Sequence, residues 1–189
     1  MLRDHVLRDR GQRDADLLEQ FRLSNKQVVV DTAREVLACV PEWFGACAPM
    51  SAMWAALLRH HHDIPAVVVA GDLIIEGTTV FRCGANIPDP ANMTQSVSAA
   101  WDGHCWIEID GYIGDVSITR TARKIDGPSI LKAFIQRNFG LQRGGMLYKH
   151  SNLLAMGMNY IPKYALTDSQ MKGLIAGMKH QIHRGRSTP

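Results

Sequence analysis

The sequence predicts an α+β protein in which helices come first and an antiparallel sheet follows. Before residue 62, apolar residues recur every three or four positions, as in amphipathic helices. Later, two runs rich in β-branched and aromatic residues flank Asp110-Gly111, a dipeptide typical of a tight β-hairpin. We therefore expect the helix that starts at Cys47 to pack on the antiparallel sheet.

The composition is that of an ordinary globular protein. The chain has 189 residues, of which 46% are apolar and 21% charged, enough for a substantial core. The net charge is only +3, with acids interspersed among the basic residues, so we expect no nucleic-acid partner. We also expect no membrane span, because no apolar run reaches about 18 residues. The N-terminus lacks a signal-peptide core, which predicts a cytoplasmic protein or one exported without a cleaved signal peptide. The oligomeric state stays open.

The first 16 residues carry many Arg and Asp and little apolar pattern. They are expected to form a mobile arm or a partly formed surface helix, followed by one domain over residues 17–189. A short helix then precedes a longer one, which Ser24 or Asn25 can cap and which Pro41 ends.

Cys47 lies at the predicted start of the next helix, which extends to about Arg59. Gly45 permits a sharp turn into this helix, and Pro49 suits its first turn. A helix N-terminus carries about half a positive charge and unpaired N–H groups, which lower a thiol pKa and favour the reactive thiolate. The same N–H groups could hold an oxyanion. The alternative is that Cys47 is a small buried hydrophobe, as most free cysteines are.

The other cysteines and the histidine run predict neither a disulfide nor a metal site. No cysteine pair has Cys-x-x-Cys spacing, so we expect free thiols in a reducing compartment. His60, His61 and His62 are consecutive, and consecutive helical residues point about 100° apart, so they cannot converge on one ion. Cationic side chains also suit the negative end of a helix. We expect no metal and no cofactor.

The β-branched run over residues 64–70 predicts a buried strand, which Gly71-Asp72 interrupts before residues 73–75 continue it. Residues 83–100 show no periodicity and contain two prolines. Such a long loop is usually functional or disordered, and we expect a rim over the site. Near the C-terminus, residues 160–166 predict a strand at a sheet edge, because Pro162 lacks an N–H. A last helix follows the capping box at residues 167–170.

A two-residue turn in the hairpin pairs Ile109 with Tyr112. Side chains alternate along a strand, so His104 and Asp115 then point to one face as diagonal neighbours, about 7–8 Å apart at the backbone. An odd-numbered turn would place them on opposite faces. The residues expected on this shared face are His104, Trp106, Glu108, Asp115 and Ser117.

Cys47, His104 and Asp115 are the residue types of a nucleophile, a general base and an orienting carboxylate. The histidine takes the thiol proton and later returns one to the leaving group. Asp115 suits the orienting role better than Glu108, which lies nearer the turn and is expected to stay solvated there.

These motifs resemble the transglutaminase-like cysteine superfamily, bacterial type, which has a papain-like fold. The resemblance implies a papain-like core and a triad of Cys47, His104 and Asp115, with Trp43 as a wall or donor beside the site. It also implies that Asn could replace Asp115, as in papain-like enzymes that use Asn. The matching text covers residues 43–118 and comprises Gly45-Ala46-Cys47, Leu57-Leu58-Arg59, Ile64-Pro65-Ala66, His104-Cys105-Trp106-Ile107-Glu108 and Gly111-Tyr112-Ile113-Gly114-Asp115.

Two departures from the family pattern limit what the resemblance implies. Asp63 stands where the family often has Gly before Ile-Pro-Ala, which affects a turn. Ala48 follows the nucleophile where animal transglutaminases carry Trp, so crosslinking of glutamine to lysine is not implied.

The function we expect is hydrolysis of an amide, peptide or isopeptide, through an acyl-enzyme intermediate, with water as the default acceptor. The substrate would be a peptide or protein amide, or a small acyl compound. Trp101 and Trp106 are expected to line an acyl-binding wall, with two buried core tryptophans as the alternative. The rival functions are acyl transfer to an amine, a non-catalytic binding module, and a metal protein. The last is disfavoured because His104 and Cys105 point to opposite strand faces.

Overall fold

Six strands form one antiparallel sheet, and eight helices flank it, in the part of the chain that the computed structural model describes, residues 2–42, 45–90, 102–142 and 144–186. The content is 51% helix and 21% strand, so the predicted α+β class is confirmed. The helices are α1 Leu2–Arg10, α2 Gln12–Gln20, α3 Lys26–Cys39, α4 Cys47–His62, α5 Ile118–Lys124, α6 Ile130–Asn138, α7 His150–Ala155 and α8 Asp168–Arg186. The strands are β1 Val67–Ile75, β2 Thr78–Phe81, β3 His104–Ile109, β4 Tyr112–Asp115, β5 Met146–Lys149 and β6 Met158–Ala165.

The β-branched strand β1 is the centre of the sheet. One edge of β1 pairs with β6, and the opposite edge pairs first with β3 and then with β2. The predicted interruption at Gly71-Asp72 is wrong, because β1 runs through both residues. Gly71 is required there, since a Cβ atom would collide with the carbonyl oxygen of Ile161 in β6. Strand β6 is at the edge of the sheet, as Pro162 predicts.

Helix α4 packs on one face of the sheet, as the sequence predicts. Its buried side chains, including Trp54 and Leu58, share a core cluster with Ile107 of β3. The helix extends one turn beyond the predicted end, to His62, and Asp63 then adopts φ 52°. Asp63 therefore takes the left-handed conformation that glycine favours at the end of a helix.

The first residues are helical rather than a mobile arm. Helices α1 and α2 cover them, and Val6 and Ala15 are fully buried against the rest of the protein. The guanidinium of Arg10 pairs with Asp14 and with Asp168 at 2.6 Å each, which ties both helices to α8. Of the two alternatives, the surface helix is the one that describes this segment.

Helices also cover the other face of the sheet. The second core cluster, on the face opposite α4, contains Trp106 of β3, Tyr160 of β6 and Phe134 of α6. Among the described helices, none combines the length and the apolar character needed to cross a membrane.

Candidate active site

Cys47 is the first residue of α4, where the sequence places it. Gly45 turns the chain with φ 76°, and Ala46 precedes the helix without a side-chain cap. The first-turn N–H groups of Cys47 and Ala48 have no acceptor within the helix, and Pro49 has no N–H. The Cys47 side chain therefore lies beside backbone N–H groups without an intrahelical acceptor, at the positive end of a 16-residue helix. Only 8% of the residue is exposed.

The hairpin has the predicted even register. Ile109 pairs with Tyr112, and Ile107 pairs with Gly114. As a result, His104 and Asp115 meet on one face, and Nε2 of His104 lies 2.5 Å from Oδ2 of Asp115. His104 is 1% exposed and Asp115 is 0% exposed, so this contact is shielded from water.

Asp115 is surrounded by hydrogen-bond donors. Its Oδ1 accepts from the backbone N–H groups of Ser117 and Ile118, at 2.9 and 3.0 Å, and from the Ser117 hydroxyl at 3.0 Å. Its Oδ2 accepts from the Tyr160 hydroxyl at 2.9 Å in addition to His104. Five donors converge on one carboxyl group, so they hold it in the ionised form and fix its position.

Aromatic rings hold the imidazole of His104 in its orientation. The Phe81 ring is stacked on it with centroids 5.0 Å apart and planes at 15°. Trp106 and Tyr160 approach at 6.4 and 6.1 Å. Phe81 reaches His104 because β2 ends where β3 begins, both strands being paired with the same edge of β1.

The thiol of Cys47 faces two neighbours that act on its ionisation, the imidazole of His104 and the thiol of Cys105. Since Asp115 engages Nε2 of the imidazole, Nδ1 is the ring nitrogen left to face Cys47. The three residues are therefore arranged in the order thiol, imidazole and carboxylate.

The electrostatics of this chain favour the charged forms. The hydrogen bond from Cys105 and the contact with His104 lower the pKa of Cys47 well below its usual value, although burial opposes this. Burial alone would lower the pKa of His104, but the charge of Asp115 and its hydrogen bond raise it to about 10. Burial likewise opposes ionisation of Asp115, yet the His104 charge leaves its pKa below the usual value. The site therefore favours a thiolate, an imidazolium and a carboxylate at neutral pH.

Of the three tryptophans predicted to contact substrate, the structure describes Trp106. Trp43 and Trp101 lie outside the described residues. Trp106 is 0% exposed and packs edge-on against Tyr160, with ring centroids 4.9 Å apart. The prediction that Trp106 lines an accessible wall is therefore wrong for this structure, and the core alternative describes it. The reason is that helix α6 and strand β6 cover the face of the sheet on which it lies.

Glu108 is buried, so its predicted solvation near the turn is wrong. It lies between Val67 of β1 and Ile113 of β4, and its carboxylate accepts a hydrogen bond of 3.0 Å from the indole of Trp106. Burial raises the pKa of this carboxyl group. Glu108 thus provides the hydrogen-bond acceptor for a buried indole.

Sequence reasoning missed three neighbours of the triad: Phe81, Cys105 and Tyr160. The hydroxyl of Tyr160 reaches a carboxylate 45 residues away in sequence, so no local pattern could have identified it. Cys105 carried a usable signal, because it directly follows the histidine and faces the helix on which Cys47 lies.

The histidine run lies at the exposed end of α4, away from the triad. Within the described ranges, no group of three or more His, Cys, Asp or Glu side chains is arranged to hold a metal ion. Basic side chains suit the negative end of a helix without any ligand.

Comparisons with known proteins identify no relative of this chain. No family model matches it. No curated protein and no solved structure matches it either. Any function assigned to the protein therefore depends on the arrangement of its own side chains.

Proposed function

We propose that this protein is a cysteine-dependent amide hydrolase with a papain-like core of the transglutaminase type. Cys47 is the nucleophile, His104 the general base and acid, and Asp115 the residue that orients the imidazole. The observation that carries the proposal is a thiol at a helix N-terminus beside a buried imidazole, which is itself hydrogen-bonded to a buried carboxylate.

Acylation begins with attack of the Cys47 thiolate on the carbonyl carbon of an amide. The carbonyl oxygen becomes an oxyanion, which the N–H groups of Cys47 and Ala48 can stabilise at the start of α4. His104 gives the proton on Nδ1 to the leaving amine as the C–N bond breaks. The products of this step are a free amine and a thioester on Cys47.

Deacylation uses the same groups in reverse. A water molecule transfers a proton to Nδ1 of His104 and attacks the thioester carbonyl. The C–S bond breaks, the carboxylic acid leaves, and Cys47 departs as a thiolate beside the reformed imidazolium. Asp115 stabilises that imidazolium throughout, since Oδ2 stays hydrogen-bonded to Nε2.

Burial of three ionisable groups argues against a non-catalytic binding module. Removing charged groups from water costs several kcal/mol for each ion, and a module has no use for that arrangement. Perturbed pKa values of a thiol, an imidazole and a carboxyl in one place are typical of a catalytic site. Transfer to an amine uses the same thioester, and we propose hydrolysis because water is the default acceptor.

The first experiment measures the reactivity of Cys47 without a known substrate. Iodoacetamide should alkylate Cys47 faster than the exposed Cys39 at about pH 6, where an ordinary thiol is almost fully protonated. The matched controls are Cys47→Ala and Cys39→Ala, with each labelled cysteine identified by peptide mass spectrometry. Labelling of Cys47 that is no faster than that of Cys39 at this pH would contradict the proposed ionised nucleophile.

The second experiment identifies the acyl group. The protein is incubated with a digest of many peptides and quenched in acid, and Cys47-containing peptides are searched for thioester adducts. Cys47→Ala should show no adduct and no turnover, while its circular dichroism stays that of the wild type. An adduct on another residue, or none with any peptide or small amide tested, would overturn the hydrolase proposal.

A further inference from the structure

Cys105 is the side chain beside the nucleophile that the mechanism above does not use. It is 0% exposed and belongs to the same buried cluster as Cys47. Its thiol is the neighbour that lowers the pKa of Cys47 most, so the two side chains are adjacent within this cluster. The Ser51 hydroxyl, one turn along α4, donates to the carbonyl oxygen of Cys105 at 3.2 Å. This second contact holds the start of the helix against the start of β3.

Strand alternation explains why one thiol meets both an imidazole and a second thiol. His104 and Cys105 are consecutive, so their side chains leave opposite faces of β3. Helix α4 packs on the Cys105 face, and His104 is the first residue of the strand, where β3 and β2 meet along the edge of β1. Cys47, at the first position of α4, is therefore within reach of both.

We propose that Cys47 and Cys105 form a reversible oxidative modification site, in which Cys105 is the resolving cysteine. The oxidant is hydrogen peroxide. This inference rests on the proposed function only in using the same nucleophilic thiolate.

The Cys47 thiolate attacks one oxygen of the peroxide, the O–O bond breaks, and Cys47 becomes a sulfenic acid as hydroxide leaves. The Cys105 sulfur then attacks the Cys47 sulfur, the S–O bond breaks, and the thiol proton leaves with the hydroxyl as water. The two sulfurs together lose two electrons, and the peroxide is reduced to water. A small dithiol then reduces the disulfide, is itself oxidised, and restores both protein thiols.

The disulfide would have two effects on the protein. It removes the nucleophile, so the oxidised protein cannot form an acyl-enzyme. It also protects Cys47 from further oxidation to the sulfinic acid, which thiols do not reverse.

The test treats the reduced full-length protein with a small excess of hydrogen peroxide, blocks free thiols, and measures the intact mass. Wild type should lose two hydrogen atoms, and peptide mapping should show a Cys47–Cys105 cross-link that dithiothreitol removes. In Cys105→Ser the same treatment should instead add oxygen to Cys47, trapped by dimedone as the sulfenic acid. Cys105→Ala is the second variant, should the serine not fold.

Cys83 and Cys39 supply matched controls. Cys83→Ala and Cys39→Ala should form the Cys47–Cys105 cross-link as wild type does. Absence of that cross-link in oxidised wild type, or equal dimedone labelling of wild type and Cys105→Ser, would overturn the inference. Because the readout needs no substrate, a protein that forms the disulfide but cleaves no amide would contradict only the proposed function.

Discussion

The Tyr160 hydroxyl and the His104 imidazole donate to the same oxygen of Asp115, at 2.9 and 2.5 Å. This sharing gives the triad carboxylate a fixed position. The Asp115 carboxylate acts only as an acceptor, because the five groups hydrogen-bonded to its two oxygens are all donors. The consequences of this donor-only environment can be tested one residue at a time.

Asp115→Asn should be far more damaging than the resemblance to Asn-containing papain-like enzymes implies. If the amide oxygen replaces Oδ1, its NH₂ group faces Nε2 of His104, which must then accept a hydrogen bond. The ring proton moves to Nδ1, so the imidazole can no longer accept the thiol proton. If the amide is flipped, its NH₂ group faces the backbone N–H groups of Ser117 and Ile118. We expect kcat/KM to fall on the order of 10³–10⁴-fold, the size of effect seen for a wrong tautomer.

The measurement for Asp115→Asn is kcat/KM together with the rate of Cys47 alkylation at neutral pH. Ser117→Ala is the matched control, because it removes one hydroxyl donor and keeps both the carboxylate and the backbone N–H groups. That variant should retain most of the activity. If Asp115→Asn kept more than about a tenth of wild-type activity, the donor-only environment would not govern the tautomer.

Tyr160→Phe tests the shared oxygen directly. The hydrogen bond from Tyr160 lowers the pKa of Asp115, so its loss should raise that pKa. A carboxyl group with a depressed pKa stabilises the fold above its unfolded value of 3.8, and the stabilisation is lost as pH falls through the folded pKa. The variant should therefore unfold at a higher pH during acid titration, and it should lose about 1 kcal/mol at neutral pH.

Circular dichroism during acid titration provides the measurement for Tyr160→Phe. Tyr112→Phe is the control, because the Tyr112 ring contacts Lys26 and Lys149 instead of the triad carboxylate. An acid midpoint of Tyr160→Phe equal to that of Tyr112→Phe would show that the hydroxyl does not stabilise the ionised carboxylate.

The pH dependence should separate the role of His104 from that of Cys47. The charged form of His104 donates a proton to the leaving amine, and it is lost as pH rises through its pKa of about 10. The pKa of Cys47 is lowered, so its thiolate is present at neutral pH and persists at higher pH. Amide cleavage should therefore be nearly constant around neutral pH and fall above about pH 10. Alkylation of Cys47 by iodoacetamide should not fall there.

His104→Ala is the comparison for this profile. Without the imidazolium, the pH midpoint of Cys47 alkylation should move toward the pKa of an ordinary thiol, about 8.5. If the alkylation rate of the wild type already rises with pH around that ordinary thiol pKa, His104 does not promote ionisation of Cys47.

Local features of this fold were predictable from the sequence. The hairpin register follows from two turn residues, and it alone brought His104 and Asp115 to one face. The start of α4 follows from Gly45 and Pro49 beside a helical apolar pattern. In these cases each expectation depends on neighbours within a few positions.

Features that depend on distant pairing were not predictable. Phe81 reaches His104 only because β1 pairs with two strands along one edge, and Tyr160 reaches Asp115 only because β6 occupies the other edge. The burial of Trp106 depends on which helices cover its face of the sheet. The packing of α1 involves Val6 and Leu2, two apolar residues in a charged segment, so periodicity gave no signal for it.

Gly114→Ala should test how α4 sets the position of the triad. A Cβ atom at Gly114 would lie 2.6 Å from Cη2 of Trp54 and 2.8 Å from Cγ1 of Ile107, so helix and hairpin must separate. Overpacking of this kind costs about 1–3 kcal/mol. The displacement occurs directly beside Asp115, so activity should fall together with the free energy of unfolding, measured by urea titration.

Two further variants make the result for Gly114→Ala specific. Gly84→Ala adds the same methyl group where no heavy atom lies within 4 Å, and it should change stability by less than about 0.5 kcal/mol. Trp54→Phe combined with Gly114→Ala removes the ring atoms that the new methyl group meets, so the double variant should recover part of the activity that Gly114→Ala loses. If Gly114→Ala and the double variant lose the same activity, Trp54 is not the residue that positions the hairpin. Relief of the contact with Trp54 would then have no effect on Asp115.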